Sequence, residues 1–194
     1  MLETFRNIKQ LTLDVDSESI LKGMHDNSKS IHYSHKINGR WENQYLDIHL
    51  VSEIKTVFKE ACKLGKELIK APLVVPNKSL GLAYDEFWFN NSNPGESTGW
   101  HDHKDGASLS AVFYLEVPRK SGDIQFRLKK NGDWITHTIQ SKKNHLILFK
   151  SNLEHSVAKN QSKSVRSSLA FNLFTLPLSF RNKLENYSSK KFFT

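Results

Sequence analysis

Residues 109–117 read LSAVFYLEV, a short run rich in β-branched and aromatic side chains that ends at a turn-forming group, PRKSGD. Runs of this kind, bounded by Gly, Pro, Asn and Ser, predict β-strands. Similar runs follow one another along the rest of the chain: LAYDEFWFN, DIQFRL, WITHTI, HLILF, LEHSV and RSSLAFNLF. Short strands in close succession, with turns every ~8–15 residues, favour a β-sandwich or barrel over an α/β sheet.

The N-terminal part of the chain predicts helices that support this barrel. Residues 9–16, KQLTLDVD, alternate apolar and polar side chains as a half-buried strand does. The next segment, DSESILKGMHDN, predicts a short helix with Asp16 or Ser17 as its N-cap. The clearest helix covers 50–70, where apolar residues recur close to every 3.6 positions and lysines fill the other face. We expect it to pack on a sheet with its lysines in water, and Cys62, in its apolar stripe, to be a core residue rather than a nucleophile.

Length and patterning predict one domain in three parts. Residues 1–80 form the helical and stranded support, 81–176 the β core, and 177–194 a short helix with a basic tail. A chain of 194 residues can bury one sizeable core. Within the first part, 28–43 is polar and aromatic and predicts a loop or irregular strand.

Composition narrows the class of protein further. No apolar stretch approaches the ~20 residues that cross a bilayer, so we expect no membrane partner. The first ten residues lack the apolar core of a signal peptide, and a single cysteine excludes an internal disulfide framework. Both features favour a reducing, cytoplasmic compartment. The net charge of +8 reflects either general lysine enrichment or an acidic partner such as nucleic acid.

The densest group of chemistry-bearing residues is GWHDHKDG at 99–106. In a strand, side chains two positions apart point to the same face, so His101, His103 and Asp105 would share one face. Trp100 would then face the other side. Three candidate metal ligands on one face exceed what packing requires, although a solvated loop would have the same composition.

Two later segments add a third ligand and a cation. His155, in SNLEHSVAKN, follows a strongly apolar strand and a short turn, so it can return to the barrel mouth. Arg166 opens a buried strand and shares a face with Ser168; a buried guanidinium requires an anionic partner, and its planar fork suits a carboxylate. Two His and one carboxylate leave three positions open on a divalent iron, which a 2-oxo acid and O₂ can fill.

At this point the sequence resembles a known superfamily. PGESTGWHDHKD, LSAVFYLEVP, SGDIQF, HLILFKSNLEH and VRSSLAFNLF are similar, in order, to the core of the Fe(II)- and 2-oxoglutarate-dependent oxygenases, in particular prolyl-hydroxylase-like and phage or marine bacterial members. The resemblance implies a mainly β fold, a double-stranded β-helix (jelly-roll, cupin-like) barrel with N-terminal helices packed on one sheet. It implies His103, Asp105 and His155 as iron ligands, and Arg166 with Ser168 as the 2-oxoglutarate anchor.

The resemblance also implies the reaction: hydroxylation of a substrate with O₂ as 2-oxoglutarate is converted to succinate and CO₂. A peptide or protein is the substrate it favours, and the positive charge keeps nucleic acid as an alternative. One departure leaves the identity of the metal ligands open. The segment from Gly95 to His103 also matches the opening of a cupin pattern, which would use His101, His103 and His155 as ligands. The cupin Glu is absent after His103. A non-catalytic basic β-barrel that binds a ligand is the competing class.

Overall fold

The computed structural model describes residues 3–37, 40–103 and 106–178. Its helices are α1 (Glu3–Arg6), α2 (Ser17–Asp26) and α3 (Ile54–Ile69). Its strands are β1 (Lys9–Thr12), β2 (His32–Ile37), β3 (Arg40–Tyr45), β4 (Leu73–Val74), β5 (Phe87–Ser92), β6 (Thr98–His101), β7 (Leu109–Glu116), β8 (Ile124–Lys130), β9 (Asp133–Ile139), β10 (His145–Lys150), β11 (Glu154–Val157) and β12 (Arg166–Thr175).

The strands form two antiparallel sheets. The larger sheet has the order β1-β10-β7-β12-β5-β3-β2, with β4 paired to β12, and the smaller one has the order β6-β11-β8-β9. Apart from β2 with β3 and β8 with β9, neighbouring strands in each sheet are distant in the sequence, which is the pattern of a jelly roll. The mainly β, double-stranded β-helix fold predicted from the sequence is therefore confirmed, with α2 and α3 on one face of the larger sheet.

Two apolar cores hold these layers together. The first lies between the helices and the larger sheet and includes Ile54, Val57, Phe87 and Phe171. The second fills part of the space between the two sheets; its members are Phe5, Ile8, Tyr114, Ile124, Phe126, Ile139, Ile147, Phe149 and Leu153. Burying a large apolar side chain contributes roughly 1.5–3 kcal/mol, so the two clusters together account for much of the drive to fold.

The N-terminal predictions agree with the structure in most respects. Asp16 caps α2 by accepting a hydrogen bond from the Ser19 amide at 3.1 Å. Helix α3 begins at Ile54, later than predicted, and its lysines are exposed. Of the two alternatives predicted for 28–43, the structure has strands: β2 and β3 pair antiparallel, with an irregularity at His35, whose φ is 58°. The predicted helix and tail after 177 lie almost entirely outside the described residues.

Glycines permit one close helix–sheet contact and one tight hairpin turn. Gly65 lies where α3 crosses the larger sheet, and a Cβ there would come within 2.6 Å of Leu73 Cδ1. Between β8 and β9, Asn131 and Gly132 have φ values of 52° and 94°. A tight type I′ hairpin turn requires positive φ at both of its central residues, and Asn-Gly is a preferred pair there. None of the described helices is both long enough and apolar enough to cross a lipid bilayer.

Cys62 lies on the buried side of α3, and burial raises the pKa of its thiol to about 11. Because the thiolate is the reactive form, the folded protein will hold Cys62 as an unreactive thiol at pH 8. We expect alkylation by iodoacetamide at pH 8 to be at least about tenfold slower in native protein than in urea-unfolded protein. Equal rates in the two states, measured by mass spectrometry, would contradict the buried placement.

Candidate active site

Two histidines meet on neighbouring strands of the smaller sheet. His101 ends β6, His155 lies in β11, and the two are direct cross-strand partners. Directly opposed residues in a sheet project to the same face, so both rings point between the sheets. Their centroids are 4.2 Å apart. His155 is only 6% exposed, and the ring of Phe149 packs edge-on against it at 4.7 Å.

A third imidazole completes a cluster. His103 lies two residues beyond the end of β6, and its backbone N–H donates to the carbonyl of Ser151 at 2.8 Å. Its ring is 5.2 Å from that of His101 and 5.3 Å from that of His155. One nitrogen from each of the three rings lies within 4.8 Å of the others. Imidazole nitrogens gathered in this way are suited to Fe, Zn, Cu or Ni.

The protonation of this cluster suits a cation. His101 Nδ1 is 2.9 Å from the carbonyl oxygen of Gly99, and His155 Nδ1 is 3.0 Å from that of Leu153. A carbonyl oxygen only accepts, so Nδ1–H donates in both rings and the lone pair is on Nε2. Burial lowers the pKa of His155 well below its ordinary value, and the neighbouring His101 and His103 lower it further. The ring is therefore neutral at physiological pH.

The structure brings His103 and His155 together as predicted, whereas Asp105, the third predicted ligand, lies outside the described residues. The same-face argument for the run at 101–105 assumed a strand that continues to Asp105. In the structure, β6 ends at His101. Alternation therefore places Trp100 and His101 on opposite faces as expected, but it does not govern the residues beyond.

Arg166 lies in a cavity between the two sheets. This cavity is partly open to solvent, and Arg166, Ser168, Ala170 and Asn172 of β12 line it together with the three histidines. The Arg166 side chain is 1% exposed, and its Nη1 donates to the carbonyls of Ser121 and Gly122 at 3.0 and 3.2 Å. A guanidinium in this position creates a strong positive potential inside a shielded cavity.

Tyr114, on β7, supplies a hydroxyl to the same cavity. It is 1% exposed, and burial raises the pKa of its phenol, an effect that the neighbouring Ser141 hydroxyl and Arg166 cation offset only in part. The phenol therefore remains a proton donor. Among the described residues, neither the Tyr114 hydroxyl nor the Ser141 hydroxyl makes a hydrogen bond of good geometry. A buried hydroxyl without a partner costs about 1–3 kcal/mol, so a ligand oxygen that accepts from Tyr114 would recover that free energy.

Gly122 allows the chain to approach Arg166. Its φ is +96°, and a Cβ there would come within 2.1 Å of the Ala158 carbonyl oxygen and 3.1 Å of Arg166 Nη1. No side chain fits this space, because the nearest obstruction is backbone. The turn before β8 therefore requires glycine both for its backbone conformation and for the contact that holds Arg166.

A polar network lies on the wall of the same cavity. Ser110 Oγ donates to Asn172 Oδ1 at 2.8 Å, and Asn172 Nδ2 donates to Glu86 Oε2 at 3.0 Å. Ser110 is 3% and Asn172 is 7% exposed. The network fixes the orientation of the Asn172 amide in the cavity wall.

The opposite face of the smaller sheet carries a stack centred on Arg127. Its guanidinium lies 4.3 Å from the ring centroid of Trp100 and 4.1 Å from that of Trp134. Arg127 also makes a two-point contact with Glu154, at 3.1 and 2.8 Å. Trp100 precedes His101 and Glu154 precedes His155, so one guanidinium ties together the two strands that carry these rings.

Sequence reasoning missed several of these residues. Trp88 lines the cavity, 5.8 Å from the ring of His103, whereas Trp100, which was expected to face away from the histidines, packs on Arg127. Alternation along β7 could have placed Tyr114 on the cavity face with Ser110. No local pattern marks Arg127 or Gly122, because their roles depend on pairing between distant strands.

The comparisons with known proteins support the fold and the family resemblance. Residues 86–172, a little under half of the chain, match the family described as "Putative 2OG-Fe(II) oxygenase". The matched segment contains all three histidines, Arg166 and Ser168, and the resemblance inferred from the sequence is confirmed. The predicted cofactors, Fe(II) and 2-oxoglutarate, are those of this family.

Solved structures share the fold across most of the chain. The carbocyclase SnoK, a non-heme α-ketoglutarate-dependent enzyme of nogalamycin biosynthesis, superposes with a TM-score of 0.67 at 12% identity, covering 89% of this chain and 81% of its own. A Pseudomonas putida prolyl-4-hydroxylase gives 0.60 at 17% identity, covering 87% and 92%. The epimerase SnoN, in complex with Fe3+, α-ketoglutarate and nogalamycin RO, gives 0.64 at 13%, covering 89% and 81%. No curated protein matches the sequence.

Gly122 and Gly132 provide a matched pair for testing the support of Arg166. Both have positive φ, but a Cβ at Gly132 meets nothing within 4 Å. We expect Gly132→Ala to cost about 1 kcal/mol of stability from backbone strain alone. We expect Gly122→Ala to cost at least about 2 kcal/mol more and to weaken 2-oxoglutarate binding about tenfold or more. Urea unfolding and calorimetric titration measure the two effects, and equal losses in both variants would exclude the contact.

Arg127 is expected to act on the metal centre through Trp100 and Glu154. We expect Arg127→Met to weaken Co(II) binding by roughly tenfold, the lower end of what outer-sphere residues contribute. The visible ligand-field spectrum of bound Co(II) should change as well, which a general loss of stability would not cause. Lys129→Met, on the same strand and exposed, is the control. An unchanged spectrum and affinity in Arg127→Met would show that the stack only packs the sheet.

Proposed function

We propose that this protein is an Fe(II)- and 2-oxoglutarate-dependent dioxygenase that hydroxylates its substrate. The observation that carries the proposal is the placement, in one cavity, of an imidazole cluster and a buried guanidinium. A metal and a dicarboxylate require these two features together. A barrel that served only as a basic binding module would need neither.

The residues present fit both groups. His103 and His155 provide nitrogen donors for iron. Both residues belong to each of the two ligand sets that the sequence left open. Arg166 provides a charged donor for the far carboxylate of 2-oxoglutarate, and the Tyr114 hydroxyl, which lacks a well-formed partner among the described residues, provides a second donor. Ser168 lines the same cavity and can add a third.

With Fe(II), 2-oxoglutarate and O₂ bound, the chemistry available is decarboxylation to succinate and CO₂ coupled to insertion of oxygen into a substrate C–H bond. The chain itself orients and shields. Arg166 and Tyr114 fix one end of the co-substrate, and Phe149 keeps water from the His155 side of the cluster. Trp88 forms a wall beside His103. Desolvation strengthens each of these electrostatic contacts.

The proposed substrate is a peptide or protein side chain. The likeness in fold to a prolyl-4-hydroxylase supports this choice. The net charge of +8 supports nucleic acid as the alternative. A cytoplasmic location, which would keep iron as Fe(II), completes the proposal.

The function is tested by succinate formation from 2-oxoglutarate in the absence of a prime substrate. We expect the wild type to produce succinate only with Fe(II), and anaerobic addition of Fe(II) and 2-oxoglutarate to give a weak visible charge-transfer band. His155→Ala should abolish both signals. If the wild type neither forms the band nor consumes 2-oxoglutarate, the enzyme function is excluded and the binding-module alternative takes its place.

Two substitutions, Arg166→Gln and Tyr114→Phe, test the residues proposed to bind the far carboxylate of 2-oxoglutarate. We expect Arg166→Gln to weaken 2-oxoglutarate binding by about 30-fold or more, as loss of a buried charged partner does. We expect Tyr114→Phe to weaken it by about tenfold while leaving the ligand-free protein at least as stable, because a hydroxyl without a well-formed partner is removed. Arg119→Gln, which changes an exposed arginine, is the matched control. A destabilised Tyr114→Phe with normal affinity would assign Tyr114 a packing role.

A further inference from the structure

The geometry points to a metal centre of three imidazoles, in which His101 binds the metal together with His103 and His155. The resemblance to the oxygenase superfamily implies two histidines and a carboxylate, with Asp105 as the third ligand. The inference rests on the proposed function only in identifying the bound metal as iron. It concerns which side chains of this chain bind it.

The first support is that His101 and His155 are prepared in the same way. In each ring, Nδ1 donates to the carbonyl oxygen of the residue two positions earlier, Gly99 or Leu153. Metal-binding histidines commonly donate their second nitrogen to such an oxygen, which fixes the tautomer and the ring orientation. His155 is the ligand that the family resemblance implies, and His101 has the same arrangement one strand away.

The second support is the path of the chain. His101 is held in the ladder opposite His155, so strand pairing fixes its side chain on the face of the sheet that carries His155. His103 is tied by its backbone to Ser151, which lies in the turn before β11. Arg127 secures the same two strands from the outer face through Trp100 and Glu154. Three rings brought together by independent contacts form a pre-organised donor set.

The charge of the site follows from this donor set. Three neutral imidazoles leave the full +2 charge of the metal in the cavity, whereas a carboxylate ligand would reduce it to +1. With Arg166 nearby, the cavity then favours a dianion strongly, because both of its charges are neutralised inside. Nitrogen donors also favour Co(II), Ni(II) and Zn(II) over Mn(II) more than a set containing a carboxylate does.

The number of imidazoles bound to the metal in the wild type tests the inference directly, and the same count in His101→Ala provides a comparison. Wild-type protein loaded with Cu(II) gives electron spin-echo modulation from the remote nitrogen of each coordinated imidazole. We expect the modulation depth to require three imidazoles in the wild type and two in His101→Ala. Two imidazoles in the wild type would overturn the inference. This measurement remains decisive even if His101→Ala does not fold.

Affinity for Co(II), measured anaerobically by competition with a chromophoric chelator, gives a second test. We expect His101→Ala to weaken binding by at least about 100-fold and Asp105→Ala by less than about threefold. His25→Ala, on α2, removes a histidine whose side chain is 91% exposed and should have no effect. A loss of more than tenfold in Asp105→Ala, whatever His101→Ala does, would overturn the three-imidazole centre.

His101→Asp separates this inference from the proposed function. The substitution recreates two histidines and a carboxylate at the same place, and we expect it to shift the ratio of Mn(II) to Co(II) affinity at least tenfold toward Mn(II). An unchanged ratio would mean that residue 101 does not bind the metal. Succinate formation by the wild type is measured separately and tests the proposed dioxygenase activity. If Asp105 proves to be the third ligand, that activity can still be present. If the protein is inactive, the metal-binding experiments still identify its ligands.

Discussion

The pairing of β6 with β11 is the constraint on which the site depends. Opposite residues in an antiparallel pair share a face, so the ladder that joins His101 to His155 also places Trp100 and Glu154 on the outside. A slip of one residue in β6 would turn His101 toward solvent and Trp100 into the cavity. Arg127 opposes such a slip, because its contacts with both outer residues exist only in the observed register.

The cavity places two positive centres within apolar walls. Burying the Arg166 charge opposes folding, and donation from its Nη1 to the carbonyls of Ser121 and Gly122 offsets part of that cost. The imidazole cluster adds a second site whose donors need a cation. A dicarboxylate that spans the two would neutralise charge at both ends. Such a ligand would meet side chains that the fold already holds in position, as in a pre-organised site.

Much of the fold could be predicted because its strands alternate strongly. The run at 109–117 and that at 166–174 have one face of large apolar residues, and both are central strands of the larger sheet. Strands β2 and β3 could be predicted only as a loop or irregular strand, because their side chains are mostly polar and do not alternate clearly. His103, His155 and Arg166 could be found from their spacing. The choice between His101 and Asp105 could not, since alternation holds only while the chain remains in a ladder and β6 ends at His101.

The exposure of the site is graded along the cavity. Arg166 and His155 are buried, whereas His101 and His103 are half-buried. Under the proposed function, a co-substrate anchored on Arg166 would occupy the buried end, and a substrate would meet the more open side of the histidine cluster. The cavity wall between them is polar, because Ser110 donates to Asn172 and Asn172 donates to Glu86. Bonding these groups to one another avoids the cost of burying them unsatisfied, so the fold can keep a polar wall in a shielded cavity.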